Sequence, residues 1–382
     1  MSEEAATIGG TPTAEAGDGP VERGEASAKQ ALPSIGVVIC SFRCFDFITV
    51  CLESVLETGY PRLHIVVADN ASDDGSEELV ASWAESLGTR LESDAPNTRR
   101  WRLPLGAPVE GGDRPEGTRE TAELTLIQSG ANLGFGGGVN VGLKAAREHD
   151  PDAYFWILNP DTIVEKQTPF RFVRKAEEMG RFAVIGGRVL YYEAPDHVQT
   201  DGGRLNRFGM TAVSVNRGVP VEKAEMPKAE SLAYIPGVSM FVSGDFLEQV
   251  GLVPEYWFLY FEEIDWQLRR GDLPLGLEPD ARVLHRAGAS IGSGSINRPA
   301  APLSVYFTCR NILPFTRCWA PWKLPLAYVT MYYKLLTKWG LRADTITAML
   351  RGLHGFAPPA SVRGKLSDDV WQRVRERPAI KK

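Results

Sequence analysis

The stretch Ala153-Tyr154-Phe155-Trp156-Ile157-Leu158-Asn159-Pro160-Asp161 is an apolar run that ends on a single carboxylate. A short run of this kind, apolar on both sides of the chain, predicts a strand buried on both faces, as in parallel sheets. Pro160 fixes its own φ and keeps Asn159 extended, so Asp161 is aimed from the strand end rather than carried on a loose loop. In open α/β sheets, ligands bind just beyond the carboxyl ends of the strands. An acid placed there suits a divalent cation whose shell is completed by substrate phosphates, as that of Mg²⁺ usually is. The same residues also fit an ordinary strand exit with a solvated acid.

On either side the pattern repeats. Ile35 to Cys40, His64 to Ala68 and Leu124 to Gln128 predict further strands, and 182–190 another after the opening run. Ile48, Cys51, Leu52 and Val55 recur at helical spacing until Gly59 and Pro61 stop them, and helices are also predicted over 74–83 and 139–147. This alternation predicts an α/β fold with a doubly wound, mostly parallel sheet. Residues 86–121 turn Gly-, Pro- and Arg-rich without periodicity and read as a surface insertion. Segment 191–232 reads as loop-rich, and a pattern returns over 236–270, with a helix starting near Glu262 or Glu263.

The 382 residues, 43% of them hydrophobic, suffice for one large core or two modest ones. Residues 1–33 are poor in large apolar side chains and read as a disordered acidic tail, with no basic start and apolar stretch to make a signal peptide. Cys40, Cys44, Cys51, Cys309 and Cys318 form no paired CxxC units, which argues against zinc and for a reducing compartment. No run of eighteen uncharged apolar residues is present, so no transmembrane helix is expected. The expected location is cytoplasmic, peripheral on the inner face of the cell membrane.

Several segments carry chemistry-bearing residues. Asp69-Asn70-Ala71-Ser72-Asp73-Asp74-Gly75-Ser76 follows the second strand; Ser72 or Asp73 is read as a helix cap, whereas Asp69 is better explained by a ligand. Asn132-Leu133-Gly134-Phe135-Gly136-Gly137-Gly138-Val139-Asn140 joins the third strand to its helix, where glycines permit close approach and a helix N-terminus favours an anion. It lacks the G-x-G-x-x-G dinucleotide spacing, and there is no Walker motif. Glu262-Glu263-Ile264-Asp265 follows the aromatic run Tyr256 to Phe261, so one acid with a raised pKa is a candidate general base. Helical geometry puts Glu262 and Asp265 on one face and Glu263 elsewhere; acids complementing a helix N-terminus are the plainer reading. His285 is a candidate partner of Asp161 at a metal.

In this order the segments resemble the family-2 glycosyltransferases of GT-A fold, especially their bacterial rhamnosyltransferase-like branch, over roughly residues 34–318. The marks are Val38-Ile39-Cys40-Ser41-Phe42, the Asp69 to Ser76 block, Asn132 to Gly136, Leu158 to Asp161, Tyr260 to Asp265, and His285 with Gly288 and Ser290. The resemblance implies inverting transfer of a sugar from a nucleotide-diphosphate donor to a hydroxyl of a glycan or lipid-linked acceptor. It implies a nucleotide-sugar site of Ser41, Asp69, Asn70, Asn132, Gly134, Asn159 and Asp161, with Mg²⁺ or Mn²⁺ on Asp161 and His285. Glu263 matches the presumed base, with Glu262 and Asp265 as alternatives, and Gly237 and Ser239 match the segment flanking the acceptor, or simply a strand before a turn at Gly244-Asp245. Two departures stand out: Asn159 holds the first position of the D-x-D motif, and Glu263 replaces the usual Asp. These departures leave open a catalytically inactive nucleotide-sugar-binding or scaffold protein of the same fold. A sugar-phosphate nucleotidyltransferase would want a Gly- and Arg-rich loop after the first strand, which Ser41 to Phe45 does not provide. A glycosidase would want two carboxylates flanking a bond.

Residues 319–382 carry a net charge of +8 on a chain whose total is −6, and read as a basic helical C-terminal extension. Leu324 to Leu341 is mostly apolar, and Lys334, Lys338 and Arg342, at i, i+4 and i+8, form a stripe opposite Leu326, Tyr328, Val329, Tyr332, Tyr333 and Leu336. That pattern fits an interfacial helix on an anionic membrane, or a core helix whose lysines reach outward. Nucleic acid is not an expected partner.

Overall fold

The computed structural model describes residues 32–107, 120–286, 300–339 (without the side chains of 338 and 339) and 342–374. Residues 1–31 of the predicted tail, 108–119 of the predicted insertion, and Gly288 and Ser290 lie outside them, as does the side chain of Lys338.

The described residues form thirteen strands: β1 Ile35–Ser41, β2 Leu63–Asp69, β3 Thr89–Leu91, β4 Thr98–Pro104, β5 Thr121–Gln128, β6 Tyr154–Leu158, β7 Thr162–Val164, β8 Val184–Tyr191, β9 Ala194–Thr200, β10 Gly203–Leu205, β11 Ala212–Ser214, β12 Ser239–Val242 and β13 Leu275–His285. Interspersed among the first six strands are α1 Ile48–Glu57, α2 Ser76–Leu87 and α3 Gly134–His149. They are followed by α4 Thr168–Met179, α5 Gly244–Val250, α6 Glu262–Leu268, α7 Pro302–Trp319, α8 Leu324–Lys334, α9 Ala343–His354, α10 Ala360–Arg363 and α11 Asp368–Arg373.

The main sheet runs β3-β4-β5-β2-β1-β6-β12-β8-β13-β7, with β9 beside β8, while β10 and β11 pair separately. β5, β2, β1 and β6 are mutually parallel, and β8 and β13 are parallel to each other. The chain steps from β1 outward to β2 and β5, then returns to β6 on the other side of β1. The α/β class and the doubly wound, mostly parallel sheet expected from the sequence are therefore present. Every residue of β1 and β2 is buried, which is why both read as continuous apolar runs.

Two segments differ from expectation. Within the predicted surface insertion, β4 pairs antiparallel with β5 along seven residues and β3 pairs with β4. Trp101 and Leu103 are buried on one side of β4, while Arg100 and Arg102 pair with Glu123 on β5, so the arginines disguise an alternating strand. Second, α3 starts at Gly134 rather than at 139. The C-terminal helices pack against the rest of the described chain. Met331, Met349 and Leu353 share one apolar cluster with Trp257, Phe261, Ile264 and Ile312.

The glycines of α3 explain themselves by packing. A Cβ on Gly142 would stand 2.5 Å from Val38 Cγ1, and one on Gly138 would stand 2.2 Å from Cys40 Sγ. Helix propensity alone would favour Gly142→Ala by roughly 1 kcal/mol. The contact with the rigid β1 side chain reverses the sign: this variant is expected to lose about 1–3 kcal/mol in chemical denaturation.

Candidate functional site

The sheet changes winding direction between β1 and β6, and the crevice beyond their carboxyl ends is where such folds bind ligands. A cleft of about 510 Å³ opens there, lined by Asn70, Asn132, Gly134, Asn159, Asp161, Gly237, Glu262, Glu263 and His285 among the predicted residues. Ser41, Asp69, Ser239 and Asp265 do not line it.

Asp161 and His285 meet across the edge of the sheet. β13 pairs antiparallel with β7, setting His285 opposite Thr162, the neighbour of Asp161. His285 Nε2 lies 3.2 Å from Asp161 Oδ1, and both side chains are buried. On its other side, His285 Nδ1 is 2.9 Å from Gln199 Oε1. With Nδ1–H donated to Gln199, Nε2 turns a lone pair toward the carboxylate, and a cation between these two acceptors would relieve their opposition. The pair therefore fits a hard divalent ion. Among the described residues there is no cluster of three or more His, Cys, Asp or Glu that could hold a metal, so phosphate oxygens and water would have to complete the shell. Gln199 belongs to no sequence motif and sits in the segment that reads as loop.

The loop from β5 to α3 is stapled by amides. Asn70 Nδ2 donates to Asn132 Oδ1 (3.2 Å) and to the Gly134 carbonyl (3.0 Å), while its Oδ1 accepts from the Leu133 N–H. Gly134 has φ +76°, and a Cβ there would stand 2.2 Å from the Phe258 carbonyl, so this glycine is required by the chain beside it. Asp69 Oδ2 accepts from the Ser72 N–H and from Gln128 Nε2, whereas the buried Oδ1 has no protein partner. Ser41 Oγ lies 3.0 Å from Cys44 Sγ. Neither Ser72 nor Asp73 caps α2 as expected. Ser72 Oγ accepts from the Arg43 N–H, Asp73 takes a two-pronged contact from Arg43, and Asp74 accepts from the Ser76 N–H at the helix start.

The three acids of α6 separate. Helical phase predicts Glu262 with Asp265 and Glu263 apart, but both glutamates line the cleft and Asp265 does not. The first turn of α6 abuts the cleft, exposing two successive side chains to it. Asp265, a turn further on, is held by Trp257 Nε1 and Trp319 Nε1 (both 3.0 Å), by Arg269 and by the Tyr256 hydroxyl. Its lone pairs are committed to these donors, which removes it from the candidate bases. Burial pushes the Glu263 carboxyl up to about 7. Burial, followed by the neighbouring Glu263 charge, raises Glu262 well above the usual carboxylate range, and its Oε2 has no protein partner. Ser239, also away from the cleft, accepts from Trp156 Nε1 at 2.9 Å and acts within the core.

Phe258, Tyr260 and Phe261, just before α6, all have positive φ (66°, 67° and 77°). Such backbone in non-glycine residues persists only when its surroundings impose it. The buried Asn311 of α7 does so by donating to the carbonyls of Trp257, Leu259 and Tyr260 at 3.1, 2.8 and 3.1 Å. A lone amide inside an apolar helix was its only sequence signal. The C-terminal segment was missed as well: Ser361, Lys365 and Leu366 line the cleft, and the Lys365 carbonyl accepts from Arg43.

Residues 36–94, running from β1 through β3, match the family model described as Glycosyl transferase family 2. The low-salt glycan biosynthesis hexosyltransferase Agl10 of Haloferax volcanii is 25% identical over 158 residues, covering 40% of this chain and 49% of its own. The match thus spans about half the length of that relative. Among solved structures, the mannosyltransferase PcManGT from Pyrobaculum calidifontis, in complex with GDP-Man and Mn²⁺, aligns over 91% of this chain and 85% of its own at 15% identity, with a TM-score of 0.46. TarS 1–349 of S. aureus, in complex with UDP-GlcNAc, aligns over 90% and 88% at 12% identity, with a TM-score of 0.46.

Because Asn311 satisfies three carbonyls of a strained loop, Asn311→Leu is expected to cost about 2–4 kcal/mol in urea unfolding. Ligand affinity at the cleft should fall with it, since the loop carries α6 and its two glutamates.

Proposed function

We propose that this protein is an inverting glycosyltransferase that moves a sugar, rhamnose by its branch resemblance, from a nucleotide-diphosphate donor to an acceptor hydroxyl. The observation that carries the reading is the meeting of two unlike pairs in one cleft at the switch point: Asp161 with His285, and Glu262 with Glu263. The family match over 36–94 supports the same reading.

In this reading the nucleoside lies toward Asp69, Asn70 and Asn132. There a second cavity of about 240 Å³ runs between Phe42, Arg43, Ala71 and the C-terminal residues Ser367 and Arg373. Asp161 and His285 would hold Mg²⁺ or Mn²⁺, which when bound neutralises charge on the departing diphosphate. Glu263, beside Gly237, removes the proton of the acceptor hydroxyl. The acceptor oxygen forms its bond to the anomeric carbon as the bond from that carbon to the phosphate oxygen breaks, from the opposite face. A proton on Glu262 keeps a second negative charge away from the base. Apolar residues lining the same cleft, Phe258, Leu259, Pro302, Leu303 and Leu366, support a lipid-linked acceptor over a bare glycan. Such an acceptor would bring the enzyme to the cytoplasmic face of the cell membrane as a peripheral protein.

Since the base must be deprotonated, kcat/KM should fall about tenfold per pH unit below pH ~7 and level off above it. Glu263→Gln should lower kcat by roughly 10²–10⁴ while nucleotide binding, measured by calorimetry, stays intact. A panel of nucleotide-sugars assayed for transfer and for donor hydrolysis checks the reading. Binding without turnover in any of them would overturn it in favour of an inactive nucleotide-sugar-binding protein.

A further inference from the structure

The helix α8 is apolar around most of its circumference but buries only a narrow stripe. Ala327, Met331 and Leu335 are inside, at successive intervals of four. A second stripe, Trp322, Leu326, Val329, Tyr333 and Leu336, faces solvent, with Trp322 73%, Val329 66% and Leu336 67% exposed. The surface continues through Tyr328 and His354, whose rings are 6.1 Å apart, to Phe356, which is 60% exposed. On the other side, Gly209 packs so closely on Thr330 that a Cβ would meet it at 2.3 Å, bringing the exposed Phe208 alongside. A contiguous exposed apolar surface of this kind on a soluble chain marks a contact site.

The charge around it selects the partner. From Trp319 to Ala343 the chain has no acidic residue and carries Lys323, Lys334, Lys338 and Arg342. Two copies facing each other through this surface would bring like-charged segments together, each part of a C-terminal region of net +8. Exposed Trp and Tyr next to Lys is instead the composition of a segment lying at a membrane–water boundary. No described helix is long and apolar enough to cross a membrane. We propose that the outer stripe of α8, with Trp322 and Phe356, seats the protein on an anionic lipid bilayer, its aromatic and aliphatic side chains entering the interface and the net positive charge of the surrounding segment favouring anionic head groups. This deepens the peripheral placement proposed above and needs neither donor nor acceptor, so its failure and that of the transferase reading are separable.

The test is co-sedimentation of the full chain with vesicles of phosphatidylcholine alone or with about one third phosphatidylglycerol, at low and high salt. Wild type is expected to pellet with the anionic vesicles and to be released by salt. Val329→Asp/Leu336→Asp, two exposed positions, is expected to bind at least about tenfold more weakly with an unchanged thermal transition. If that variant unfolds, the emission shift of wild type on adding anionic vesicles, and its loss in Trp322→Phe, gives the same answer. Wild type staying in the supernatant, or the double variant pelleting like wild type, overturns the proposal. A concentration-dependent dimer abolished by the double variant also overturns it, assigning the surface to a second copy.

Discussion

The antiparallel pairing of β13 with β7 is the constraint on which the site depends. It sets His285 opposite Thr162 and so delivers an imidazole to Asp161, a residue more than a hundred positions earlier in the chain. A shift of one residue in that register would turn His285 to the other face of the sheet. β13 is itself fixed by its parallel run along β8, which β12 links to β6, the strand that ends at Asp161. The two ligand candidates are thus tied to one continuous ladder of backbone hydrogen bonds rather than to loops.

A similar division of labour holds on α6. Three acids in four residues would repel one another if all faced one cavity. Instead Asp265 is drawn out by two indole N–H groups, a guanidinium and a phenol, and this hub pins α6 to the 256–257 segment and to the end of α7. The two glutamates left in the cleft are raised by burial, Glu263 to about 7, which is the condition a general base needs near neutral pH. Asn311 holds the left-handed backbone that leads into this helix, so α7 acts on the site without touching its chemistry.

Much of the fold was legible because strands buried on both faces leave continuous apolar runs: Ile35–Ser41, Leu63–Asp69 and Tyr154–Leu158 could hardly be read otherwise. β4 was not legible because Arg99, Arg100 and Arg102 pair with acids along and beside the sheet, a solution that looks like a charged loop in sequence. The first turn of α3 was hidden because its glycines answer to β1 packing and not to helix propensity. At the site, the family resemblance carried by the ordered motifs pointed to Asn70, Asn132, Asp161, Glu263 and His285, which line one cleft. Gln199, Asn311 and Lys365 were invisible because each is placed by tertiary register alone. Asp265 was misplaced for the opposite reason: helical phase groups it with Glu262, but the aromatic donors around it decide where it points.

The exposed stripe of α8 and the apolar residues lining the cleft are the features behind the proposed lipid-held acceptor. The proposed mechanism depends on Asp161 and His285 together holding a divalent cation that meets the donor diphosphate. Crystals grown with Mn²⁺ and a nucleoside diphosphate, with data collected at the manganese edge, test it directly. One anomalous peak is expected within about 2.0–2.3 Å of both Asp161 and His285 and in contact with phosphate oxygens. Nucleotide density with no such peak, or a peak held by other side chains, would contradict it.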